Sequence, residues 1–340
     1  MVTFIAPSRV NLAMLANRAA IDQHREREGA IMQDMEAFAD VHALPEPPHG
    51  WRDFSYSILL DGRLAIVRQG SGLHDDGTAG PAGDNAPRSC RVHTFDGSRE
   101  DWALDVRGIA FPFVSRLADG RWLLVDGLAG HEALSGHLFA ADGSPLSSLR
   151  LGARISNVLC APDNSIWVNY SDEGVYAGRL ANGDWPLSTG GIVRFSPEGR
   201  VLGSLMDKIP MAWGGDNPMS LIGNECWVHG YPKPQLVRMA GDDCEIFPCP
   251  VENPGALAGD GRFILLARRF PWEASFSLHE RQGGQLALVG EWSQGAGAIA
   301  QPRLLQGHGD LLHIVEGGRW IKVSTGAFRD FLAHSPRRAR

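Results

Sequence analysis

Basic clusters, cysteine pairs and long apolar runs are all scarce in this sequence, and each scarcity removes a class of function. The formal net charge is −7 and the one concentrated basic stretch is the terminal RRAR, so nucleic acid and anionic membrane are not expected partners, because both need clustered Lys and Arg. There are 5 cysteines, Cys90, Cys160, Cys226, Cys244 and Cys249, with no C-x-x-C pair among them. An odd number, mostly inside apolar strand patterns, fits small buried hydrophobes better than a disulfide framework or a zinc site. No window holds about eighteen apolar residues in a row, and the start MVTFIAPSRVNL lacks the charged opening and apolar run of a signal peptide. A cytoplasmic location is the expectation. G-x-S-x-G, H-E-x-x-H, a Walker A loop and a G-x-G-x-x-G after a strand are also missing.

What the sequence has in quantity is turns, with 41 glycines in 340 residues. Six segments share one form, a short polar turn and then an apolar strand: DGRLAIV from Asp61, DGRWLLV from Asp119, DNSIWV from Asp163, GNECWV from Gly223, DGRFILL from Asp260 and GDLLHIV from Gly309. Asp-Gly or Asp-Asn between apolar runs supplies the positive φ of a tight hairpin. With Gly62, Gly120, Asn164, Asn224, Gly261 and Gly309 as equivalent points, the steps are 58, 44, 60, 37 and 48 residues. Four-stranded propeller blades recur about every 40 to 50 residues. A second hairpin follows each of the first five segments, which makes four strands per unit. The fold predicted is therefore all-β, a six-bladed β-propeller, preceded by an N-terminal helical segment.

The sixth unit is one strand short after RWIKVST, Arg319 to Thr325. Its outer strand is expected either from GAFRDFLA or from Val2 to Ala6, the latter closing the ring by pairing the chain ends and removing an exposed edge. Between them, residues 8–42 show helical spacing, with Leu12, Leu15 and Ala19 on one face and Ile31, Met35 and Phe38 on another, and LPEPPHG as a stop. The expected organisation is a strand, helical segment and Pro-rich linker over residues 1–50, the propeller over 51–333 and a basic tail over 334–340.

In a propeller, the loops joining second to third strands and one blade to the next share a face around the channel, and binding is expected there. Two of these loops are long, Arg68 to Arg88 in blade 1 and Tyr170 to Gly190 in blade 3, so the specialised surface is expected on those blades. Polar residues end most second strands: Arg68, Asp126, Asn169, His229 and Glu316. Others start inner strands: Asn157, Asp216, Asn217, Asn253 and Gln301. Such residues can line a channel mouth or simply cap loops through side-chain to backbone bonds. The stretch IWVNYSDEGVY presents the same choice: Asp172 and Glu173 either bind a cation or act as a base, or only open the loop. Trp185 and Tyr231 join the face as interface-type side chains.

The run ISNVLCAPDNSIWVNYSDEGVYAG, with GGIVRFSPEGRV and CWVHGYPKPQLVRM after it, resembles a family of uncharacterised bacterial six-bladed propellers whose strand ends W-V-x-Y-x-D-E-G. More loosely the blades resemble NHL-type propellers, in which D-G-x-I-W-V is common. These resemblances imply the fold and no reaction. The chain is also similar in outline to the SMP-30/gluconolactonase group, metal-dependent lactonases with a Glu, two Asn and an Asp at the channel mouth. That likeness implies a metal held by Asn157, Asn217 and Asn253, although the P-N-G-L motif of the group is not present.

The leading expectation is a non-catalytic binding propeller with no cofactor, taking a protein or a small ligand, in one form as a partner or immunity protein. Its binding residues would be Arg68, Asp126, Asn169, Asp172, Glu173, Trp185, His229 and Tyr231. The alternative is a metal-dependent hydrolase or lactonase with Ca²⁺ or Mg²⁺ on Asn157, Asn217 and Asn253 and with Asp172 or Glu173 as base.

Overall fold

The computed structural model describes residues 35–70, 89–109, 111–209, 217–230, 234–268, 275–293 and 302–334. After β1 (Ala39–Ala43), blade 1 comprises β2 (Trp51–Ile58), β3 (Leu64–Gly70), β4 (Ser89–Phe95) and β5 (Glu100–Arg107). Blade 2 is β6 (Pro112–Arg116), β7 (Trp122–Asp126), β8 (Gly136–Phe139) and β9 (Pro145–Leu149), and blade 3 is β10 (Ile155–Cys160), β11 (Ile166–Tyr170), β12 (Ile192–Phe195) and β13 (Val201–Ser204). Blade 4 is β14 (Met219–Ile222), β15 (Glu225–Gly230), β16 (Gln235–Ala240) and β17 (Asp243–Pro248). Blade 5 is β18 (Pro254–Gly259), β19 (Phe263–Arg268), β20 (Ser275–Gln282) and β21 (Gln285–Ser293), and blade 6 is β22 (Leu304–His308), β23 (Leu311–Glu316), β24 (Arg319–Ser324) and then β1. All six sheets are four-stranded and antiparallel, and together they form the predicted six-bladed ring. The helices are short: α1 (Asp172–Val175), α2 (Leu205–Lys208) and α3 (Thr325–His334). Among the described residues no helix is long and apolar enough to cross a membrane.

The hairpins form for the reason their turns suggested. Gly62 at φ 79° and Asn164 at φ 65° both take the left-handed conformation that the tight turn demands. The strands that follow are buried on both faces and alternate between two neighbours. In β3, Leu64 and Ile66 pack toward blade 6 while Ala65 and Val67 pack toward blade 2. Trp122 and Leu124 of β7 meet blade 1, and Leu123 and Val125 meet blade 3. Each of the six apolar clusters thus fills one blade-to-blade interface. All five cysteines are free thiols, and burial raises those of Cys160 and Cys226 far above the ordinary value.

Closure of the ring differs from both expectations. The outer strand of blade 6 is β1, paired with β24 from Ala39↔Val323 to Ala43↔Arg319. GAFRDFLA belongs instead to α3, because Phe328, Phe331 and Leu332 recur at helical spacing and seat against the interface between blades 5 and 6. Residues 1–34, with Val2 to Ala6, Leu12, Leu15, Ala19 and Ile31, lie outside the described residues. The helical reading of 8–42 fails at its end. Met35 and Phe38 flank a turn, after which the chain extends, and both are buried in that same interface, Phe38 against Phe276, Trp292, Phe328 and Phe331. The ring consequently begins before Trp51, the expected boundary.

At the far ends of the inner strands, backbone bonds draw blades 4, 5 and 6 together: Gly259 N donates to Gly309 O at 2.7 Å and Gly309 N to Leu221 O at 2.8 Å. A Cβ on Gly307 would meet the Leu257 carbonyl oxygen at 1.5 Å, so no larger residue fits there. His308 bonds the Leu60 carbonyl at 3.1 Å on the blade 1 side. The channel is tied shut at this end.

Because Phe38 anchors the closing strand, Phe38→Ala should destabilise the protein by about 3–5 kcal/mol, read as a lower urea midpoint. Trp102, 59% exposed on an outer strand, is the control, and Trp102→Ala should stay within about 0.5 kcal/mol of the parent.

Candidate functional site

The opposite end of the channel is open. A cavity of about 800 Å³ occupies it, within the ~300–1,000 Å³ range of small-molecule sites. Its wall is built from the starts of inner strands and the ends of second strands, the face on which binding was expected.

Three inner strands reach the wall through irregularities. The pairing register shifts between Asp53 and Ser55, between Ile155 and Asn157 and between Pro254 and Ala256. The residues at those bulges, Phe54, Ser156 and Gly255, all line the cavity. A bulge adds a residue to one strand and re-aims its side chain, which is how otherwise regular strands present groups to a central space.

The wall has three kinds of surface. On blades 1 and 2, Phe54, Phe111 and Phe113 meet edge to face, with ring centroids 5.3 Å and 5.4 Å apart. Blades 3 and 4 contribute carboxamides. Asn169 is fully buried, donates through Nδ2 to the Asn217 carbonyl at 2.9 Å, and its Oδ1 has no partner among the described residues. Blade 6 supplies Gln306, whose Oε1 accepts from Ile58 N at 3.4 Å while Nε2 has no partner among the described residues.

The third surface is charged. Arg154 precedes β10 in a left-handed conformation, φ 57°, and its carbonyl accepts from Ser171 N at 2.9 Å. Glu173, in α1, accepts from Ser171 Oγ at 2.5 Å. That bond, a backbone N–H and the Arg154 charge hold its carboxyl below the ordinary range. Across the ring, Arg303 precedes β22. It donates to Tyr56 Oη at 3.1 Å and to the Asp53 carbonyl at 2.5 Å, with its guanidinium 4.9 Å from the Tyr56 ring centroid. Tyr56 donates in turn to Asp53 Oδ2 at 2.8 Å, and Arg68 donates to Asp53 Oδ1 at 2.9 Å while pairing with Glu100 at 2.6 Å. Burial, then Asp53, keep the Tyr56 phenol protonated well above its usual value.

The sequence-predicted residues divide accordingly. Asn169, Glu173, Asn157 and Asn217 line the cavity. Arg68, 1% exposed, is one layer behind, in an ion-paired network between blades 1 and 6 rather than on the wall. Asp126 caps its loop by accepting from Leu128 N at 3.0 Å. Asp172 is exposed and off the wall, so the adjacent acids do not act as a pair. Trp185 is exposed on the blade 3 loop, 4.5 Å from the Arg179 guanidinium. His229 is buried on the side of β15 that carries Trp227, facing blade 5. Asn253 is exposed in a left-handed bend ahead of β18, φ 50°, and off the wall, so the expected metal trio is not assembled. Among the described residues no group of three His, Cys, Asp or Glu could hold a metal. Tyr231, Asp216, Gln301 and residues 71–88 of the blade 1 loop lie outside the described residues.

Sequence reasoning missed Arg154, Arg303, Gln306 and the three phenylalanines. One signal was available: Arg154 and Arg303 hold like positions, each directly before an inner strand, in blades that face one another across a ring of six.

No family model and no curated protein matches the chain. Among solved structures, Kuenenia stuttgartiensis hydrazine synthase is similar over 87% of this chain and 82% of its own, with 13% identity and a TM-score of 0.51. A functionally unknown protein from Desulfotomaculum acetoxidans DSM 771 is similar over 80% of this chain and 81% of its own, with 12% identity and a TM-score of 0.48. The WD40 domain of Neurospora crassa Pan2 covers 85% of this chain and 96% of its own, with 8% identity and a TM-score of 0.44. Likeness at such identities shows the fold alone.

The buried histidines give the structure a pH limit. Burial depresses His229 and His279 to about 4 and His313 to about 3, from an ordinary 6.5. Below 6.5 the unfolded chain binds protons that the folded chain refuses, so the contribution of these three histidines is level at neutral pH and above and falls as the pH drops from 6.5 toward the folded values. Each such histidine adds up to about 1.4 kcal/mol per pH unit to that fall. Urea midpoints at successive pH values between 7 and 5 should drop steadily, and less steeply in His313→Phe. An unchanged slope in that variant would show that His313 titrates freely.

Proposed function

We propose that this protein is a non-catalytic binding propeller whose open channel end holds a small molecule. The supporting observation is the cavity itself, about 800 Å³ with aromatic, carboxamide and charged sectors. A concave space with a few convergent polar groups suits a small ligand, whereas a protein partner seated on the same face would engage the loops around the mouth. A partner or immunity role through the blade 1 and blade 3 loops is the other form of this reading.

The hydrolase reading draws on one feature, Asn157 and Asn217 on the same wall as Glu173. Against it stands the state of that carboxylate. An acid held below its ordinary range by Ser171 and Arg154 is a poor proton acceptor near neutral pH.

A thermal-shift survey of small metabolites, with Ca²⁺ and Mg²⁺ titrated in parallel, tests the proposal. A ligand at a hundred times its dissociation constant adds about 2.7 kcal/mol of stability. At least one compound class should raise the melting temperature of the native protein by a few degrees, and by less in Ser156→Trp, which places an indole at the cavity wall. Stabilisation by Ca²⁺ alone, lost in Glu173→Gln, would favour the hydrolase instead, and no response to any small molecule would remove the pocket from consideration.

A further inference from the structure

We infer that the cavity selects an aromatic monocarboxylic acid, its carboxylate held by Arg303 and its ring against Phe54, Phe111 and Phe113. This rests on the small-molecule reading above and specifies its ligand.

The charge of the site runs opposite to that of the protein. In a chain of net charge −7, the cavity wall carries two arginines, Arg154 and Arg303, against one carboxylate, Glu173. Neither arginine forms an ion pair among the described residues, although the wall itself offers Glu173 and the layer behind it Asp53. Asp53 is engaged by Arg68 and Tyr56, so Arg303 is oriented by neutral oxygens, a carbonyl and a phenol. That leaves its charge unneutralised. A guanidinium has five N–H donors, two of Arg303 are committed to Asp53 O and Tyr56 Oη, and the rest have no protein acceptor among the described residues. Positioned this way, a guanidinium favours a planar carboxylate.

The number of charges sets the valence of the ligand. Two cations and one ionised carboxylate sum to a single positive charge, which matches a monoanion and opposes a polyphosphate. The aromatic sector sets its body: Phe111 remains 39% exposed at the centre of the three-ring cluster, a flat apolar surface at the cavity wall, suited to another ring edge to face or offset.

The test is calorimetric titration of the full chain with 4-hydroxyphenylacetate, 4-hydroxycinnamate and indole-3-acetate, each beside its primary amide and beside phenyl phosphate. At least one acid should bind one to one, with its amide weaker by tenfold or more. Arg303→Gln should weaken the acid by tenfold or more and leave the amide unchanged, and Arg303→Lys should recover part of the loss. Arg303 is exposed and outside the apolar clusters, so both variants are expected to fold, checked by melting temperature. Amides that bind as well as acids, acids indifferent to Arg303→Gln, or phenyl phosphate bound more tightly than every acid would overturn the assignment of a carboxylate. If no acid binds while the metabolite survey still yields a ligand weakened in Ser156→Trp, this inference falls and the small-molecule reading stands. Silence in both experiments removes both.

Discussion

Everything in this structure depends on the packing of one blade against the next. The second strand of each blade is apolar on both faces, so no blade can bury its residues alone, and each interface is completed by a neighbour. The demand propagates around the ring until it meets the end, where β1 must return to blade 6. Without it the cluster around Phe38, Phe276 and Phe328 would lose its outer wall, and β24 would present an unpaired edge. α3 covers the same interface from outside, so both segments that flank the ring converge on its closing joint.

Because the interfaces between blades carry the stability, the inner strands are released from regularity at the open end. Bulges at Phe54, Ser156 and Gly255 break the ladder where side chains turn to the cavity. At the other end the same strands are tied by Gly259, Gly307 and Gly309, so blades 4 to 6 close on one another. The outcome is a cup with a tight base and an irregular rim, a form in which side chains at the rim can vary on a rigid scaffold.

Behind the rim lies a buried network of Glu100, Arg68, Asp53 and Tyr56. Removing three charges from water is costly, and such networks are poor sources of net stability. Here the network has a position: it ends on Arg303, whose guanidinium it orients, so the layer behind the wall governs the layer that faces the cavity.

The recurring Asp-Gly turns and the apolar strands after them were enough to number the blades, because the hairpin chemistry and the two-residue period are local. Asn169, at the end of a second strand, and Glu173, just beyond it, were readable from their place at the channel end, although Arg68, Asp126 and His229 at like positions turn elsewhere. Met35 and Phe38 were not readable, since a three-residue spacing fits a helical face and also fits a turn that drops both side chains into one joint. Asn253 was misplaced because a shift of one residue, set by a left-handed bend, decides whether a side chain meets the channel or the solvent. Arg154 and Arg303 looked like any solvated arginines. Their meaning arises from what faces them across the ring, from residues far away in the chain, and only the closing of six blades brings those residues together. Local propensity thus determined the repeat and the fold class, and long-range packing decided the closure, the cup and the charge inside it.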